Sequence, residues 1–361
     1  MKLTAPKTID DIDAAWLTAA LHEGGYLAAD ISIIKAERRL MNEIEGLLSC
    51  VAQYTLFFDQ EPGPETPTSL VLKMESDNEA FRNLGEEFHA FEREIKFYET
   101  VGPTAPIRVP KLFYAIAEPP CYAIVMEDFS YCQPGDQLAG MPYLQVERAL
   151  SEIAKLHAMY WDNDRLAALE WMPRDNGVVQ LVRELWPSFK QHFGDMVGPQ
   201  AIQAGERIVA QFDWIECELA KAPPTIQHYD LREDNLLFTP DGTPNEFVII
   251  DWQLAIRNAG ARDAARLMAG SETPEQRQGH QEEICRFWHN ALVANGVTGY
   301  PYEEALHHFK LAVMTCTSGP ICIHKGALTN PEDRSSRLIK AIISRCFNAV
   351  LELNATNLLP K

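Results

Sequence analysis

The sequence is poor in basic residues: 32 lysines and arginines stand against 51 aspartates and glutamates, which leaves a formal net charge of −19. A protein that binds the backbone of a nucleic acid needs a basic surface to displace counterions, and an anionic membrane surface selects for the same charge. We therefore expect neither a nucleic-acid nor a membrane partner. A polyphosphate ligand is compatible with this charge, because a few local cations or Mg²⁺ can neutralise it. Nucleotide binding must therefore be argued from a site.

The sequence also has no closely spaced cysteine pair. None of its eight cysteines lies in a Cys-x-x-Cys motif, and the closest approach noted along the chain is between Cys316 and Cys322. This spacing favours free thiols in a reducing compartment over a disulfide framework or a zinc site. Acidic residues interrupt the N-terminal segment, unlike a signal peptide, and no uncharged apolar stretch is long enough to span a bilayer. We expect a cytoplasmic protein.

Two kinds of hydrophobic pattern divide the 361 residues, a length that itself predicts two lobes. Up to about residue 126 the apolar runs are short and strand-like, apart from a helical periodicity over about 78–100. From about residue 131 amphipathic helices dominate, interrupted by two short β-like runs around an Asp-Gly turn. These patterns predict an α+β fold with a small β-rich N-terminal lobe at 1–126, a hinge at 127–130 and a larger, mainly helical lobe at 131–361.

The segment HYDLREDN contains the residue types that phosphoryl transfer requires. His228-Tyr229-Asp230 followed by Asn235 reproduces the H-x-D-x-x-x-x-N catalytic loop, and Asp251 ends the β-like run FVII after the Asp-Gly turn. An aspartate that accepts the hydroxyl proton and oxygen ligands for Mg²⁺ are the parts that this chemistry needs. The combined spacing predicts Asp230 as the catalytic base, and Asn235 and Asp251 as the Mg²⁺ ligands.

A lysine for the nucleotide phosphates is found on the third strand-like run. Lys73 lies in the apolar sequence LVLKM. Its usual partner is a glutamate on the following helix, which orients the ammonium group toward the phosphates. Glu94 is the preferred candidate because it lies among the apolar residues of the helix that are expected to face inward. Glu87 and Glu92 remain alternatives, since the sequence does not fix the helical register.

With these residues in place, the chain resembles the aminoglycoside phosphotransferase and choline kinase superfamily, most closely its ecdysteroid-kinase-like branch. The resemblance spans roughly residues 35–270 and rests on the segments FEREIKFYE, AIVMEDF, IAKLHAMYW, HYDLREDNLLF and VIIDWQ. It implies a bilobal protein-kinase-like fold in which ATP, or GTP, lies between the lobes with its base near Glu127 and Asp128. It also implies that the acceptor lies against the helical lobe.

Several residues depart from the family pattern. Tyr229 stands where the family usually has glycine, and Asp234 adds a carboxylate that is either a further metal ligand or exposed. The segment expected to cover the phosphates, MNEIEGLLS, contains only Gly46 instead of a glycine-rich motif. DWQ replaces the protein-kinase DFG and no Ala-Pro-Glu segment follows, which argues against protein substrates.

Four neighbouring residues are assigned supporting roles. Asp263 is expected to anchor the catalytic loop from a helix start, and His228 to hold that loop rather than carry protons. Arg232 is expected to contact phosphate or substrate, or to form a salt bridge with Glu233 or Asp263. His324, in a segment that breaks the helical pattern, is a further candidate for the substrate pocket.

These observations predict an ATP-dependent kinase that phosphorylates a hydroxyl group of a small molecule, with ATP and Mg²⁺ as cofactors. The alternative from another class is a catalytically inactive nucleotide-binding regulator, for which the bulky Tyr229 and the glycine-poor segment speak. A kinase acting on a protein or a ribosome-bound target is a third alternative. The identity of the acceptor, the choice between ATP and GTP, and the oligomeric state are left open.

Overall fold

The computed structural model describes residues 3–41, 49–76, 79–239, 247–328, 330 and 332–361. The chain forms two compact units. The first, here called the β-rich unit, comprises Met1–Gln133 and Leu237–Leu254, and the second, called the helical unit, comprises Pro134–Leu236 and Ala255–Lys361. Among the described residues, no helix combines the length and the apolar character needed to cross a bilayer.

The strands are numbered in chain order. They are β1 (Ile33–Leu40), β2 (Ser49–Phe58), β3 (Ser69–Glu75), β4 (Leu112–Glu118), β5 (Cys121–Glu127), β6 (Gln133–Pro134), β7 (Pro224–Gln227), β8 (Leu236–Phe238), β9 (Phe247–Ile249) and β10 (Ile256–Ala259). The first five form one antiparallel sheet in the order β1-β2-β3-β5-β4, so that β3 is its central strand.

The helices are also numbered in chain order. They are α1 (Ala14–Glu23), α2 (Glu79–Glu87), α3 (Ala90–Thr100), α4 (Tyr143–Met159), α5 (Asp164–Ala167), α6 (Val178–Val197), α7 (Pro199–Ala210), α8 (Phe212–Leu219), α9 (Ala261–Ser271), α10 (Gln281–Ala294), α11 (Tyr302–Thr315), α12 (Ser318–Ile323) and α13 (Arg334–Glu352). The α+β class and the protein-kinase-like fold predicted from the sequence are confirmed.

The register of β3 determines where Lys73 lies. Leu70, Leu72 and Met74 are buried in an apolar cluster that includes Leu17 of α1. Because successive side chains of a strand point to opposite faces of the sheet, Lys73 lies on the face opposite that cluster. Its backbone is paired on both sides within the sheet, so the position of the side chain is fixed by two neighbouring strands.

The periodicity predicted over 78–100 is divided between two helices. Between α2 and α3, His89 has a φ of 50°, in the left-handed region that an α-helix does not use. A hydrophobic pattern alone does not reveal such a break, because both helices keep their apolar residues at three- and four-residue steps. The break sets the register of α3, which buries Phe91, Glu94 and Tyr98 together.

Residues Leu237–Leu254 belong to the β-rich unit, which differs from the sequence expectation that 131–361 forms one lobe. Leu237 and Val248 pack against Phe129 and Cys132. In addition, the backbone N–H of residue 249 donates to the carbonyl of Arg108 at 3.0 Å. The difference arises because a short strand pair cannot bury both of its faces by itself, and the apolar partners lie near residue 130. The Asp-Gly turn lies outside the described residues.

The helical unit is built from α4 to α13 together with the antiparallel pair β7 and β10. Its fully buried side chains include Trp288, Phe309 and Phe347. Two helices, α7 and α8, follow each other closely, and Gln211 between them leaves the helical region of φ and ψ. The pairing of β7 with β10 brings the chain before the catalytic loop next to the chain before α9. Both segments contribute to the candidate site.

Candidate functional site

In the β-rich unit, Lys73 is buried between two carboxylates. Its Nζ lies 2.7 Å from Oε2 of Glu94 and 2.8 Å from Oδ1 of Asp251. Only 6% of Lys73 and 1% of Glu94 are exposed. Of the three glutamates considered from the sequence, Glu94 is therefore the partner of Lys73, while Glu92 instead bonds to the Tyr122 hydroxyl.

The two carboxylates keep the buried lysine charged. Burial alone would lower the pKa of Lys73, but Asp251 and Glu94 outweigh it and raise that pKa above its ordinary value. Burial raises the pKa of Glu94, against the effect of Lys73, and the nearby Asp251 adds to the increase. The site therefore places one strongly held positive charge next to the carboxylates of Glu94 and Asp251.

Asp251 is held in an unusual backbone conformation. Its φ is 68°, in the left-handed region that glycine favours, and a non-glycine residue there carries a conformational cost of about 1–3 kcal/mol. The next residue provides an anchor, since the Trp252 indole stacks on Phe97 at a centroid distance of 4.0 Å and donates to the carbonyl of residue 249 at 3.1 Å. The stacked tryptophan holds the strained turn that directs Asp251 toward Lys73.

Glu127 and Asp128, expected near the nucleotide base, have side chains engaged within the β-rich unit. Glu127 forms an ion pair with Arg108 and accepts the backbone N–H of residue 111 at 3.2 Å. Asp128 accepts Nε2 of Gln53 at 3.1 Å and the backbone N–H of Ser130 at 2.7 Å. These bonds hold the segment after β5 in place, and a contact of this segment with a nucleotide stays a prediction.

In the helical unit, Asp230 is held by two arginines. Its Oδ1 accepts Nε of Arg266 at 3.2 Å and Nη2 of the same residue at 2.9 Å, while its Oδ2 accepts Nε of Arg232 at 3.0 Å. Burial alone would raise the pKa of Asp230, but the two guanidinium groups lower it to about 2. Asp230 is therefore a carboxylate with a fixed orientation and little tendency to bind a proton.

Asn235 lies at the opposite end of the same loop. Its Nδ2 donates to the backbone carbonyl of Asp230 at 2.9 Å. Because this hydrogen bond engages the amide nitrogen, the amide oxygen is the atom with the character of a Mg²⁺ ligand. The loop thus fixes Asn235 relative to Asp230 by a direct contact.

Asp263 anchors the catalytic loop, as the sequence predicted. Its two oxygens accept the backbone N–H groups of His228 at 2.7 Å and Tyr229 at 2.9 Å. His157 contacts Oδ2 of Asp263 through Nε2 at 3.2 Å and accepts the indole N–H of Trp288 through Nδ1 at 3.0 Å. This pattern assigns the imidazole proton to Nε2. Asp263 thus contacts two backbone N–H groups of the loop and one buried imidazole, which Trp288 holds in turn.

Tyr229 occupies a position whose backbone suits glycine. Its φ is 74°, which gives a physical reason for the glycine that the family usually has there. The guanidinium carbon of Arg262 lies 5.9 Å from the centre of its ring. Burial raises the pKa of the phenol, so Tyr229 is neutral at physiological pH. The bulky side chain is tolerated because Asp263 and the surrounding helices hold the loop.

The partners of Arg232 differ from those that the sequence suggested. Arg232 pairs with Asp230 and, through Nη1, with Asp234 at 3.0 Å, and not with Glu233 or Asp263. Asp234 is not exposed: it is buried and also accepts the backbone N–H of residue 137 at 3.0 Å. Arg232 and Asp234, two positions apart in the loop, thus form an ion pair. The sequence alone did not distinguish this pair from contacts of Arg232 with other carboxylates.

Arg266 was missed by the sequence reasoning. It lies one helical turn after Asp263 on α9, and this spacing on a helix that anchors the loop is the signal that could have found it. His324, a candidate for the substrate pocket, is completely buried, where its Nε2 lies 2.9 Å from Oγ of Ser188. The segment expected to cover the phosphates, MNEIEGLLS, spans residues 41–49, of which 42–48 lie outside the described residues.

Two family models match separate parts of the chain. The family model described as "Ecdysteroid kinase-like family" matches residues 43–162. A second one, DUF1679, described as "Uncharacterized oxidoreductase dhs-27", matches residues 178–323. The comparison with curated proteins gave no significant match.

Solved structures resemble the chain along most of its length. Choline kinase from Cryptosporidium parvum Iowa II aligns with a TM-score of 0.55 at 13% identity, covering 92% of this chain and 90% of that one. An aminoglycoside phosphotransferase, APH(2"), in complex with GDP and kanamycin aligns with a TM-score of 0.52 at 14% identity, covering 94% and 99%. A GDP complex of an aminoglycoside 2'-phosphotransferase gives 0.54 at 15% identity, covering 94% and 98%.

At these identities the likeness establishes the fold. The chain has the fold of the aminoglycoside phosphotransferase and choline kinase superfamily. The resemblance to the ecdysteroid-kinase-like branch, inferred above from short segments, is confirmed by the family match.

Proposed function

We propose that the chain is an ATP-dependent phosphotransferase that transfers the γ-phosphoryl group to a hydroxyl of a small molecule. The observation that carries this proposal is the buried group of Lys73, Glu94 and Asp251. Buried ion pairs of this kind are often no more stabilising than apolar packing, because the charges lose their hydration. A task for the ammonium group accounts for it better, and binding nucleotide phosphates is the task that its position after the apolar run of β3 supports.

In this proposal Asp230 orients the acceptor hydroxyl and receives its proton. A pKa of about 2 makes the carboxylate a weak base, so orientation is its larger contribution. That division suits phosphoryl transfer, in which a loose transition state demands a well-placed nucleophile more than early deprotonation. Within the part of the chain that the structure describes, Oδ2 is contacted by Arg232 and, at a longer distance of 3.4 Å, by Nδ2 of Asn235, so one of its lone-pair directions is weakly filled. The hydroxyl would bind there.

Each of the two residues predicted to hold Mg²⁺ carries a suitable donor atom. Asn235 offers an amide oxygen and Asp251 a carboxylate, and Mg²⁺ prefers such oxygen ligands. When bound, Mg²⁺ would neutralise charge on the nucleotide phosphates. Lys73, positioned by Glu94, would bind the phosphates, and the segment of Glu127 and Asp128 would contact the base. The description of the second family model names an oxidoreductase, but the segment that it matches contains HYDLREDN, which indicates phosphoryl transfer.

Nucleotide binding is tested by thermal unfolding with Mg-ATP or Mg-GTP. At a concentration of one hundred times its dissociation constant, a ligand stabilises the fold by about 2.7 kcal/mol. We expect a Mg²⁺-dependent rise in the melting temperature that Asp251→Ala removes. An exposed aspartate on α6, replaced in Asp195→Ala, is the matched control and should keep the rise. No rise with either nucleotide would contradict the proposal.

Phosphoryl transfer is tested by ADP release from Mg-ATP with choline, kanamycin, aminopropanol and glycerol as acceptors. Asp230→Ala should lower turnover by roughly 10²–10⁴ while Mg-ATP still raises the melting temperature. Undiminished turnover in this variant would remove Asp230 from the mechanism.

One observation favours a second candidate, a nucleotide-binding regulator without phosphoryl transfer. Both oxygens of Asp230 are already engaged by Arg232 and Arg266, so the carboxylate has to share them with an acceptor. The regulator predicts a Mg-ATP-dependent rise in melting temperature without ADP release from any acceptor. Release of ADP that depends on a hydroxyl compound would exclude it.

A further inference from the structure

A glycine in α9 leaves space for the arginine that holds Asp230. Gly270 is one turn after Arg266 on this helix, and both residues lie in the helical unit. A Cβ atom built on Gly270 would lie 3.3 Å from Cζ of Arg266 and closer still to Nη1, well inside ordinary carbon–nitrogen contact. No side chain other than a hydrogen atom fits between the helix backbone and this guanidinium group.

The glycine is not needed for the backbone of α9. Gly270 continues a regular helix and has no positive φ. A glycine inside a helix lowers stability relative to alanine, because its backbone loses more conformational freedom on folding. The space beside the helix, and not a turn, is therefore what the residue supplies.

That space is part of a closed set of contacts around Asp230. Gln137 donates from Nε2 to the carbonyl of Gly270 at 2.9 Å and accepts Nη1 of Arg232 through Oε1 at 2.9 Å. Arg232 and Arg266 then bind the two oxygens of Asp230. Gln137 is completely buried, so these contacts cannot relax into solvent.

The remaining N–H groups of Arg266 show that it is not held by other partners. Its Nη1 is buried and has no hydrogen-bond partner among the residues that the structure describes. Its ion pair is with Asp230 alone within that part of the chain. The N–H donors on Nη1 thus have no partner in that part of the chain, at a cost in stability, while Nε and Nη2 bind one oxygen of Asp230.

We propose that Gly270 and Arg266 act together as positioning residues for Asp230, Gly270 by leaving the space in which the guanidinium group of Arg266 fixes the carboxylate. This inference rests on the proposed function, because Asp230 is taken as the group that orients the acceptor. Neither residue touches the substrate in this proposal. Both act through the orientation of Asp230.

The sharpest perturbation is Gly270→Ala. The added methyl group meets the far end of a flexible side chain, so the fold can accommodate it by moving the guanidinium group on the order of 1 Å, and a displacement of that size near a reacting group costs up to about 10²-fold in rate. We expect turnover, measured as ADP release from Mg-ATP with water or glycerol as acceptor, to fall about 10- to 100-fold. The KM for Mg-ATP should stay unchanged, because neither residue is proposed to bind the nucleotide, and the melting temperature should not fall.

The matched control is Gly319→Ala in α12, another helical glycine, whose added Cβ meets no atom of the described residues within 4 Å. It should leave turnover unchanged. Arg266→Met should lower turnover at least as much as Gly270→Ala, and Arg266→Lys should restore only part of the loss, because an ammonium group cannot make the two-pronged contact. In the Arg266→Met background, Gly270→Ala should have no further effect.

Two outcomes would overturn the inference: turnover of Gly270→Ala equal to the unmodified protein, or effects of Gly270→Ala and Arg266→Met that multiply in the double variant. If the unmodified protein releases no ADP, the proposed function fails, and the positioning is decided by NMR. The Nε–H signal of Arg266, identified by its loss in Arg266→Lys, should shift in both Asp230→Asn and Gly270→Ala. An unchanged signal in Gly270→Ala would overturn the inference independently of activity.

Discussion

Replacing the buried lysine tests the electrostatic reasoning without any ligand. In Lys73→Met the ammonium group disappears, while Glu94, 1% exposed, and Asp251 keep their positions in the β-rich unit. Removing one partner of a buried ion pair typically costs about 3–5 kcal/mol, because a charge is left without compensation. For a unit of about 150 residues, each kcal/mol corresponds to roughly 2–4 °C, so the melting temperature should fall by about 6–20 °C.

The loss should depend on pH with a definite sign. The pKa of Lys73 is raised, so its stabilisation is present below the ordinary value of 10.5 and is lost only as the pH rises through the folded value. Burial already raises the pKa of Glu94 above 4.5, and removal of the ammonium group raises it further. The difference between Lys73→Met and the unmodified protein should therefore be largest at neutral pH and shrink as acid protonates Glu94.

Denaturant unfolding followed by circular dichroism at pH 5 and pH 8 measures both effects. Lys35→Met is the control, since Lys35 forms a 2.6 Å ion pair with Glu37 on the surface, with a side chain 63% exposed, and should lose nothing measurable. In Lys73→Met/Glu94→Leu, which removes the buried carboxylate as well, part of the stability should return. A loss in Lys73→Met no larger than in the control, or equal at both pH values, would refute the reasoning.

Three further predictions concern the catalytic loop, and denaturant unfolding measures each. The pKa of Asp230 is lowered to about 2 from 3.8, so its ionised form adds about 2 kcal/mol to the free energy of unfolding above pH 3.8, and this contribution is lost as the pH falls through 2. The difference in stability between the unmodified protein and Asp230→Asn should shrink over that range, and a constant difference would contradict the prediction. Asp263→Asn should cost about 1–3 kcal/mol, because one oxygen cannot accept both backbone N–H groups, and an unchanged midpoint would contradict the anchor. Tyr229→Gly should be more stable than Tyr229→Ala by about 1 kcal/mol, since only glycine adopts the positive φ freely, whereas the opposite order would contradict the strain.

The site residues that can be predicted from the sequence are those whose chemistry follows from spacing along the chain. Lys73 and Asp251 can each be recognised because they follow an apolar, strand-like run. That run fixes the position of the charged residue along the chain. For the partner of Lys73 the sequence leaves three glutamates open. The choice of Glu94 depends on the register of α3, which the break at His89 sets. In a strand, alternate residues face the same side, so the sequence shows which residues share a face. In a helix interrupted by one left-handed residue, the faces before and after the break differ, and the sequence does not show by how much.

The residues that the sequence missed are those that act across large separations along the chain. Arg266 reaches Asp230 over 36 positions, and Gln137 contacts Arg232 over 95. The spacing of Arg266 after Asp263 indicates that it lies on the same side of α9, but local periodicity does not show which partner the arginine binds. The net charge of −19 does not indicate the charge of this site either, because Arg232 and Arg266 balance the carboxylates Asp230 and Asp234 locally.

The two strained residues connect these observations. Among the described non-glycine residues only a few have positive φ, and two of them, Tyr229 and Asp251, occur within the two segments that the motifs single out. Strain of this kind persists only where surrounding contacts over-determine the backbone. Asp263 supplies those contacts at Tyr229, and the stacked Trp252 supplies them at Asp251. Tyr229, next to Asp230, and Asp251 itself therefore adopt backbone conformations that their residue types disfavour. A site that has to orient a carboxylate would need such conformations.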